Sequence, residues 1–517
     1  MALQHVKNII IGAGPAGIQM GHFFGKDEEY LILERNSEAC SFFRHYPRQR
    51  KLISFNKGRK LRFDWNSFLG SDMSMRDYSK ELFPFADEYL KYVNDFVSKH
   101  EINIKYNYEV KNISKDGGVF KINDGEFTAD RVFFGIGVKK RPIDPSITYP
   151  PHVTVYSYDN MPTDPEVYRD KNVYVIGAGN AGLETVNWLS PIADRIILWG
   201  GEPRFAYETH YPGDKRSVNM AFVDTYLLKA NVLINSFKGT SLTNPQSEIY
   251  RKLMQALEKG ALDWTGKFDI VIFCHGFEFD DRLIKDLVKV HKFPVLTPHF
   301  ESTTTPGLFF IGTGSQHHDM KIGTSSFIHG FRYNCEYLHR YLTNSIVYNK
   351  ISTERSLVDT ILYQFSESSC LYHRFNYFCD LIGILQDNTF EYVKEIPISA
   401  VEYYTKPTWK DFFTVSLGHH LKFVHGEPVG LTFKRTNQPG KASESIVIHP
   451  MIHYKQKILH FVEDAFFTWQ NQAGQVVMEI YLSYILGRMY EDELNASLKA
   501  LDNARPESID LKSNCHL

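Results

Sequence analysis

The chain has little of what several functional classes require. Its six cysteines (40, 274, 335, 370, 379 and 515) are scattered, with no C-x-x-C pair. That spacing argues against a disulfide framework, a zinc site and the usual dithiol redox centre. Neither sign of charge dominates: 58 Lys and Arg stand against 60 Asp and Glu, a net charge of −2. A nucleic-acid surface needs a basic face, and none is visible. Long apolar runs are also missing. The most apolar late stretch, VVMEIYLSYILG at 476–487, holds Glu479 and is too short to span a bilayer, so it reads as a buried or docking helix.

No secretory signal is expected, because the apolar run Ile9 to Ile11 breaks at once into glycines. The sequons at Asn112 and Asn495 therefore carry no weight. The closing Cys515-His516-Leu517 loosely resembles a peroxisomal address. The expected location is cytoplasmic, with the peroxisome as the alternative. Internal repeats and low-complexity runs are lacking after about residue 346.

What the chain does have is one glycine turn written twice. IIIGAGPAGIQ spans 9–19 and VYVIGAGNAGLE spans 173–184, with Gly12 and Gly177 separated by 177 − 12 = 165 positions. In the first copy a strand from Val6 leads into Gly12-Ala13-Gly14-Pro15-Ala16-Gly17 and a helix, and a second strand ends in Glu34. Gly12 permits the tight turn, Gly14 lets a pyrophosphate approach the backbone, and Gly17 lets helix and strand pack closely. Glu34 follows Gly12 by 34 − 12 = 22 residues, placed to accept hydrogen bonds from a ribose. Arg35 beside it is a further cofactor-binding candidate. Strand, turn, helix, strand and acid in order define a dinucleotide site.

The second copy, Gly177-Ala178-Gly179-Asn180-Ala181-Gly182, differs at the strand tip, where Trp199 replaces the acid and Arg204 follows. Losing the acid removes a repulsion against a 2′-phosphate, and Arg204, Lys215 or Arg216 would bind one. That favours NADPH over NADH, although Glu202 stays nearby. Two turns mean two dinucleotides, an arrangement that lets FAD receive hydride from a nicotinamide.

The strand-like runs ending in Gly135-Ile136-Gly137 and in Cys274-His275-Gly276, and the later 307–314 run (GLFFIGTG), predict a nested α/β architecture. A Rossmann-like FAD domain (1–160 and 295–345) holds an inserted Rossmann-like NAD(P)H domain (161–294), and 346–517 form a mixed α+β extension. Lys105 to Val110 and Val119 to Ile122 are expected to form a small antiparallel insertion. The extension is expected to begin helically, become strand-rich between Phe412 and Phe433, and end in two helices.

Two G-x-G-x-x-G units, the glycine-ended strands and the late GLFFIG strand resemble the two-dinucleotide flavoprotein superfamily. More closely, 41–57 (SFFRHYPRQRKLISFNK), 209–219 (THYPGDKRSVN), 307–334 and 460–469 (HFVEDAFFTW) are similar to the FAD-dependent oxidoreductase domain-containing family of the endoplasmic reticulum, flavoproteins associated with degradation there. Neither that family's signal peptide nor its retention ending is expected here, so the resemblance implies fold and cofactors rather than location or task.

Flavin-containing and Baeyer–Villiger monooxygenases resemble the segment after Glu34. By that likeness Tyr46-Pro47-Arg48 would fold over the flavin ring, Asn56 would hydrogen-bond a flavin–oxygen adduct, and Asp64 would belong to their aromatic–Asp stretch. An Asx-turn cap explains Asn56 equally well. The Phe-x-Gly-x-x-x-His fingerprint of those enzymes is absent; its nearest string, Phe134 to Lys140, has no histidine.

Gly137, Gly312, Thr313, Thr324 and Phe327 are expected to border the flavin, with Thr324 to Ser326 capping a helix whose N-terminus favours the anionic reduced form. His45 and His210 are proton-transfer candidates because histidine titrates near neutrality. His317-His318-Asp319 has no third ligand at suitable spacing, so no metal is expected. His329 and Arg332 share a helical face and would bind pyrophosphate or pair with an acid.

Three readings remain. The first is an FAD- and NADPH-dependent monooxygenase using oxygen on a small amine, thioether or carbonyl compound. The second is a flavin reductase or thiol oxidoreductase serving a protein partner. The third is a flavin-stabilised binding module whose extension recognises a partner or a second copy.

Overall fold

A computed structural model describes residues 4–56, 64–143, 149, 151–200, 233–236, 269–320, 323–418, 423–424, 427–428, 448–461 and 470–504. The chain forms two compact units, one of residues 1–56, 70–295 and 302–314, the other of 57–69, 296–301 and 315–517.

The first unit runs β1 (Asn8–Ile11), α1 (Pro15–Phe24), β2 (Tyr30–Leu33), β3 (Ile104–Lys105), β4 (Arg131–Phe134), β5 (Val138–Lys140) and β6 (Thr154–Ser157). It continues with β7 (Asn172–Ile176), α2 (Asn180–Leu189), β8 (Arg195–Gly200), β9 (Leu233–Ser236), β10 (Ile270–Phe273), β11 (Phe277–Phe279) and β12 (Leu308–Phe310). Ile9, Ile10 and Ile11 are buried, as are Val173, Val175 and Ile176, so both central strands are apolar on each face. That is the signature of a parallel strand covered on both sides. Each such side chain contributes about 1.5–3 kcal/mol by leaving water.

Two five-stranded parallel sheets result, in the orders β12-β4-β1-β2-β3 and β6-β10-β7-β8-β9. They repeat one plan: the strand before the glycine turn is central, and the strand after the helix lies beside it. They differ in the outermost strand. The first sheet takes it from the end of the unit (β12), and the second from its own beginning (β6). Strands β5 and β11 pair antiparallel where the chain leaves the first sheet and returns to it.

One expectation changes in part here. Of the 105–110 segment only Lys105 is strand-forming, and with Ile104 it extends the parallel sheet as β3 rather than an antiparallel insertion. Val119–Ile122 is antiparallel as expected, but its partners are Ile113–Asp116 and Phe127–Ala129, the last of which also pairs with Gln4–His5. Asn112 and Asn123 close it by hydrogen bonds that the polar alternation does not reveal.

The second unit holds α3 (Ile328–Leu342), β13 (Asn349–Ile351), α4 (Glu354–Glu367), β14 (Phe378–Ile384), β15 (Phe390–Pro397), β16 (Asp411–Gly418), β17 (His449–Tyr454), β18 (Lys457–His460), α5 (Gln472–Ile485) and α6 (Glu491–Ala504). Its six-stranded antiparallel sheet has the order β13-β15-β14-β16-β17-β18. Strands therefore begin earlier than the expected Phe412. Every residue of β14 is buried, which hides the period-two pattern by which a strand is read. The apolar 476–487 stretch lies mostly in α5, which buries Val477, Met478, Tyr481, Leu482 and Ile485. Among the described residues no helix is long and apolar enough to cross a membrane.

Candidate active site

The first turn is held by backbone geometry. Gly12 has φ +98°, and its amide donates to the Leu33 carbonyl at 2.9 Å. A Cβ on Gly17 would come within 2.1 Å of the Gly12 carbonyl oxygen, so only glycine closes helix onto strand. Gly14 is different: its missing Cβ has one neighbour, the Gly135 carbonyl oxygen at 3.9 Å. Its conformation is ordinary, and what the glycine leaves is room. Helix α1 starts at Pro15 with Ala16 behind it, and has no side-chain cap and no acid in its first turn. Its N-terminal dipole is therefore not offset by an acid of its own first turn.

Glu34 is buried at the tip of β2. One oxygen accepts from the Ala13 amide at 2.8 Å; the other takes the Asn36 amide at 2.9 Å and the Asn36 side chain at 2.8 Å. A carboxylate offers about four acceptor sites, so three are used and one remains for a ribose hydroxyl. Arg35 beside it is exposed. Gly312, at φ +65°, meets the Ala16 side chain, and its missing Cβ would lie 3.0 Å from the Ala16 Cβ. The Gly312-Thr313 turn thus joins the first glycine turn. Gly137, at φ +80°, opens β5 with nothing within 4 Å of its missing Cβ.

The second turn repeats this geometry more tightly. A Cβ on Gly177 would lie 2.2 Å from the Cys274 carbonyl oxygen, and one on Gly182 would lie 1.9 Å from the Gly177 carbonyl oxygen. Gly179 has nothing within 4 Å, and α2, opening at Asn180, again carries no side-chain cap and no acid in its first turn. Arg204, His210, Lys215 and Arg216 lie outside the described residues.

The segment after Glu34 builds an aromatic wall. Tyr46 stacks on Phe42 (centroids 4.6 Å apart) and Tyr158 (5.7 Å), and meets the Phe277 ring edge-on at 5.7 Å. Arg48, 9% exposed, donates through its backbone to the Tyr158 hydroxyl at 3.2 Å and through its guanidinium to the Met161 carbonyl. Asn56 is buried; its Nδ2 donates to the Ser79 carbonyl at 2.7 Å, while its Oδ1 has no partner among the described residues. The side chain therefore offers an acceptor. His45 is exposed at the end of the short helix Phe42–His45.

Sequence reasoning missed the polar group beneath this wall. Glu184, on α2, is buried, and burial pushes its carboxyl up to about 8 while a hydrogen bond with the Gln49 side chain opposes the shift. Cys274 follows β10, its Sγ 3.7 Å from the Thr185 hydroxyl; burial pushes the thiol up to about 11, with Lys140 pulling it down. These residues come from four separate segments, so no spacing announced them. The one available signal was Glu184, an acid next to Leu183 in the glycine-turn helix.

The remaining candidates belong to the second unit. Asp64 is buried and holds its own turn: Oδ1 accepts from the Asn66 and Ser67 amides at 3.0 and 2.7 Å, and Oδ2 from the Ser67 hydroxyl. Arg332 donates to the Asp64 carbonyl at 3.0 Å and to His373 Nδ1 at 3.1 Å, so it staples loops rather than reaching a surface acid. Thr324 does not cap α3. Its hydroxyl donates to the His373 carbonyl at 2.5 Å, and the cap position falls on Phe327, which stacks on His329 at 5.4 Å. Arg374 pairs with Asp319 at 3.2 Å, both side chains fully buried. Among the described residues no group of three metal-ligating side chains converges, His317 and His318 included.

The pyridine nucleotide-disulphide oxidoreductase family profile matches residues 9–312. The FAD-dependent oxidoreductase domain-containing protein 2 of Danio rerio is 29% identical, covering 86% of this chain and 75% of its own. Its Mus musculus counterpart is 28% identical, covering 92% of this chain and 83% of its own. Among solved structures, a flavin-containing monooxygenase from Stenotrophomonas maltophilia is similar in fold (TM-score 0.50, 19% identity), covering 66% of this chain and 99% of its own.

Proposed function

Since the chain belongs to the pyridine nucleotide-disulphide oxidoreductase family, it is a flavin-dependent oxidoreductase, and we propose that it is an NADPH-oxidising monooxygenase acting on a small nitrogen-, sulfur- or carbonyl-containing molecule. The residues present fit both dinucleotides. Gly12, Gly14 and Gly17, the uncapped start of α1 and the remaining acceptor site of Glu34 would hold FAD. Gly177, Gly179 and Gly182 would hold the pyridine nucleotide, and the loss of the acid at Trp199 favours NADPH. Bound FAD would supply two-electron redox chemistry between NADPH and molecular oxygen.

One observation carries this reading over a dithiol enzyme. Among the described residues Cys40, Cys274, Cys335, Cys370 and Cys379 are all buried and form no disulfide, and burial raises each thiol above its ordinary range. A thiolate is the reactive form, so none is poised for disulfide exchange. The chain's own residues have other tasks. Tyr46 and Tyr158 wall off water, the Ser79 carbonyl orients Asn56, and the Asn56 carbonyl oxygen would be free to accept a hydrogen bond from a protonated group at the reacting centre.

The test is anaerobic NADPH reduction of the flavin-loaded protein, followed by rapid mixing with oxygen. Near-ultraviolet absorption distinct from the oxidised and reduced spectra, lasting seconds, is expected. Immediate reoxidation with stoichiometric peroxide, with and without candidate substrates, would leave an oxidase. Rapid reduction of an added disulfide or quinone instead would favour a reductase.

A further inference from the structure

We propose that Lys140 and Arg48 form an anion-recognition site in the first unit, and that it takes the carboxylate of a small aromatic or apolar substrate. The proposal rests on the oxidoreductase reading above and adds the chemistry of the substrate. Alternation along β5 turns its two lysines to opposite faces. Lys139 has Glu278 at 3.4 Å and Asp280 at 3.9 Å. The Lys140 ammonium is buried, 5.0 Å from the Tyr158 ring centre and 4.9 Å from that of Phe277, with no hydrogen-bond or ion partner among the described residues.

Tyr158 joins the two cations, because the Arg48 backbone donates to its hydroxyl. The guanidinium spends one nitrogen on the Met161 carbonyl and leaves Nε unpartnered among the described residues. Gln49 Oε1 and His275 Nδ1 are likewise unpartnered. Neither acid nearby neutralises the two cations: Glu184, beside Tyr158 and Gln49, is kept protonated at neutral pH by burial, and Asp159, whose charge acts on Lys140, forms no ion pair with either cation among the described residues. A buried cation lacking an acceptor is costly, and an anionic oxygen pair offsets that cost.

Strand order separates the two sources of such an anion. Tyr158 follows β6 and Cys274-His275 follow β10, so the group lies at the carboxyl ends on one side of β7. Ligands of open parallel sheets bind at such ends. The second turn accounts for the dinucleotide's pyrophosphate, and β8, whose tip would meet a 2′-phosphate, lies on the other side of β7. The anion at Lys140 is therefore the substrate's, with Tyr46, Tyr158 and Phe277 as its apolar wall.

The experiment uses flavin-loaded protein, benzoate as the carboxylate probe and inorganic phosphate as the second arm, with binding read by calorimetry. NADPH bleaching of the flavin is checked first; its failure sinks the oxidoreductase reading and leaves the binding result standing. Benzoate is expected to bind, Lys140→Met to weaken it at least tenfold, Lys139→Met to change it less than twofold, and the NADPH KM of Lys140→Met to stay within twofold. Melting of the unliganded Lys140→Met protein supplies a second readout: Tm is expected to hold or rise, because an unpartnered buried charge is gone. Benzoate binding that is absent or indifferent to Lys140→Met overturns the proposal. So does a tenfold rise in NADPH KM with phosphate competing against NADPH, which would give the site to the dinucleotide. A lowered Tm with unchanged benzoate affinity would leave Lys140 a structural residue.

Discussion

The Glu34 carboxylate accepts the Ala13 amide at 2.8 Å, tying the tip of one strand to the glycine turn that follows its neighbour. The acid thus shapes the turn as well as offering an acceptor to a ribose. Hydrogen bonds to a charged group contribute about 1.5–3 kcal/mol. Glu34→Ala is expected to weaken FAD binding at least tenfold and to lower the Tm of the flavin-free protein by a few °C. An unchanged flavin-free Tm would remove the turn-shaping role.

The glycines of the first turn separate folding from binding. Gly17→Ala places a Cβ 2.1 Å from a backbone oxygen, so the turn cannot close and soluble yield should collapse. Gly14→Ala has 3.9 Å to its nearest backbone atom and an allowed conformation. It should fold with a near-normal circular dichroism spectrum, yet lose most of its flavin absorbance because the methyl occupies the pyrophosphate's approach. Equal behaviour of the two variants would contradict this division.

Asn56 distinguishes a reacting-centre contact from a loop cap. Asn56→Ala should leave the NADPH KM within twofold, raise the peroxide share of consumed oxygen several-fold and lower product yield about tenfold. A cap alone would show as reduced Tm with product and peroxide unchanged.

Glu184 gives stability a pH dependence. Its carboxyl is pushed up from 4.5 to about 8 by burial, so the folded protein keeps a proton that the unfolded chain releases. Stability is therefore fully present below pH 4.5 and is lost as pH rises toward 8, by up to about 1.4 kcal/mol per pH unit. Glu184→Gln should match the natural protein's Tm near pH 4.5 and exceed it at pH 8. Parallel pH–Tm curves for the two proteins would refute the buried neutral acid.

The glycine spacing by itself determined both turns, because a tight turn, a close helix–strand approach and a positive φ each demand a residue without a Cβ at a set position. The apolar patterning equally determined the central strands and the two terminal helices, because it is local. Glu34 was legible for the same reason: its place follows from the length of one βαβ unit. What only the tertiary structure decided is long-range. Asp64 and Thr324 resembled reacting or capping groups, but non-local neighbours and tight turns engage their oxygens. The six-stranded sheet hid behind strands buried on both faces, where alternation disappears. The cluster of Arg48, Lys140, Tyr158, Glu184 and Cys274 unites segments up to 274 − 48 = 226 residues apart. Its burial and shared electrostatics exist only once both sheets have formed, and those alone set which charges go unpaired.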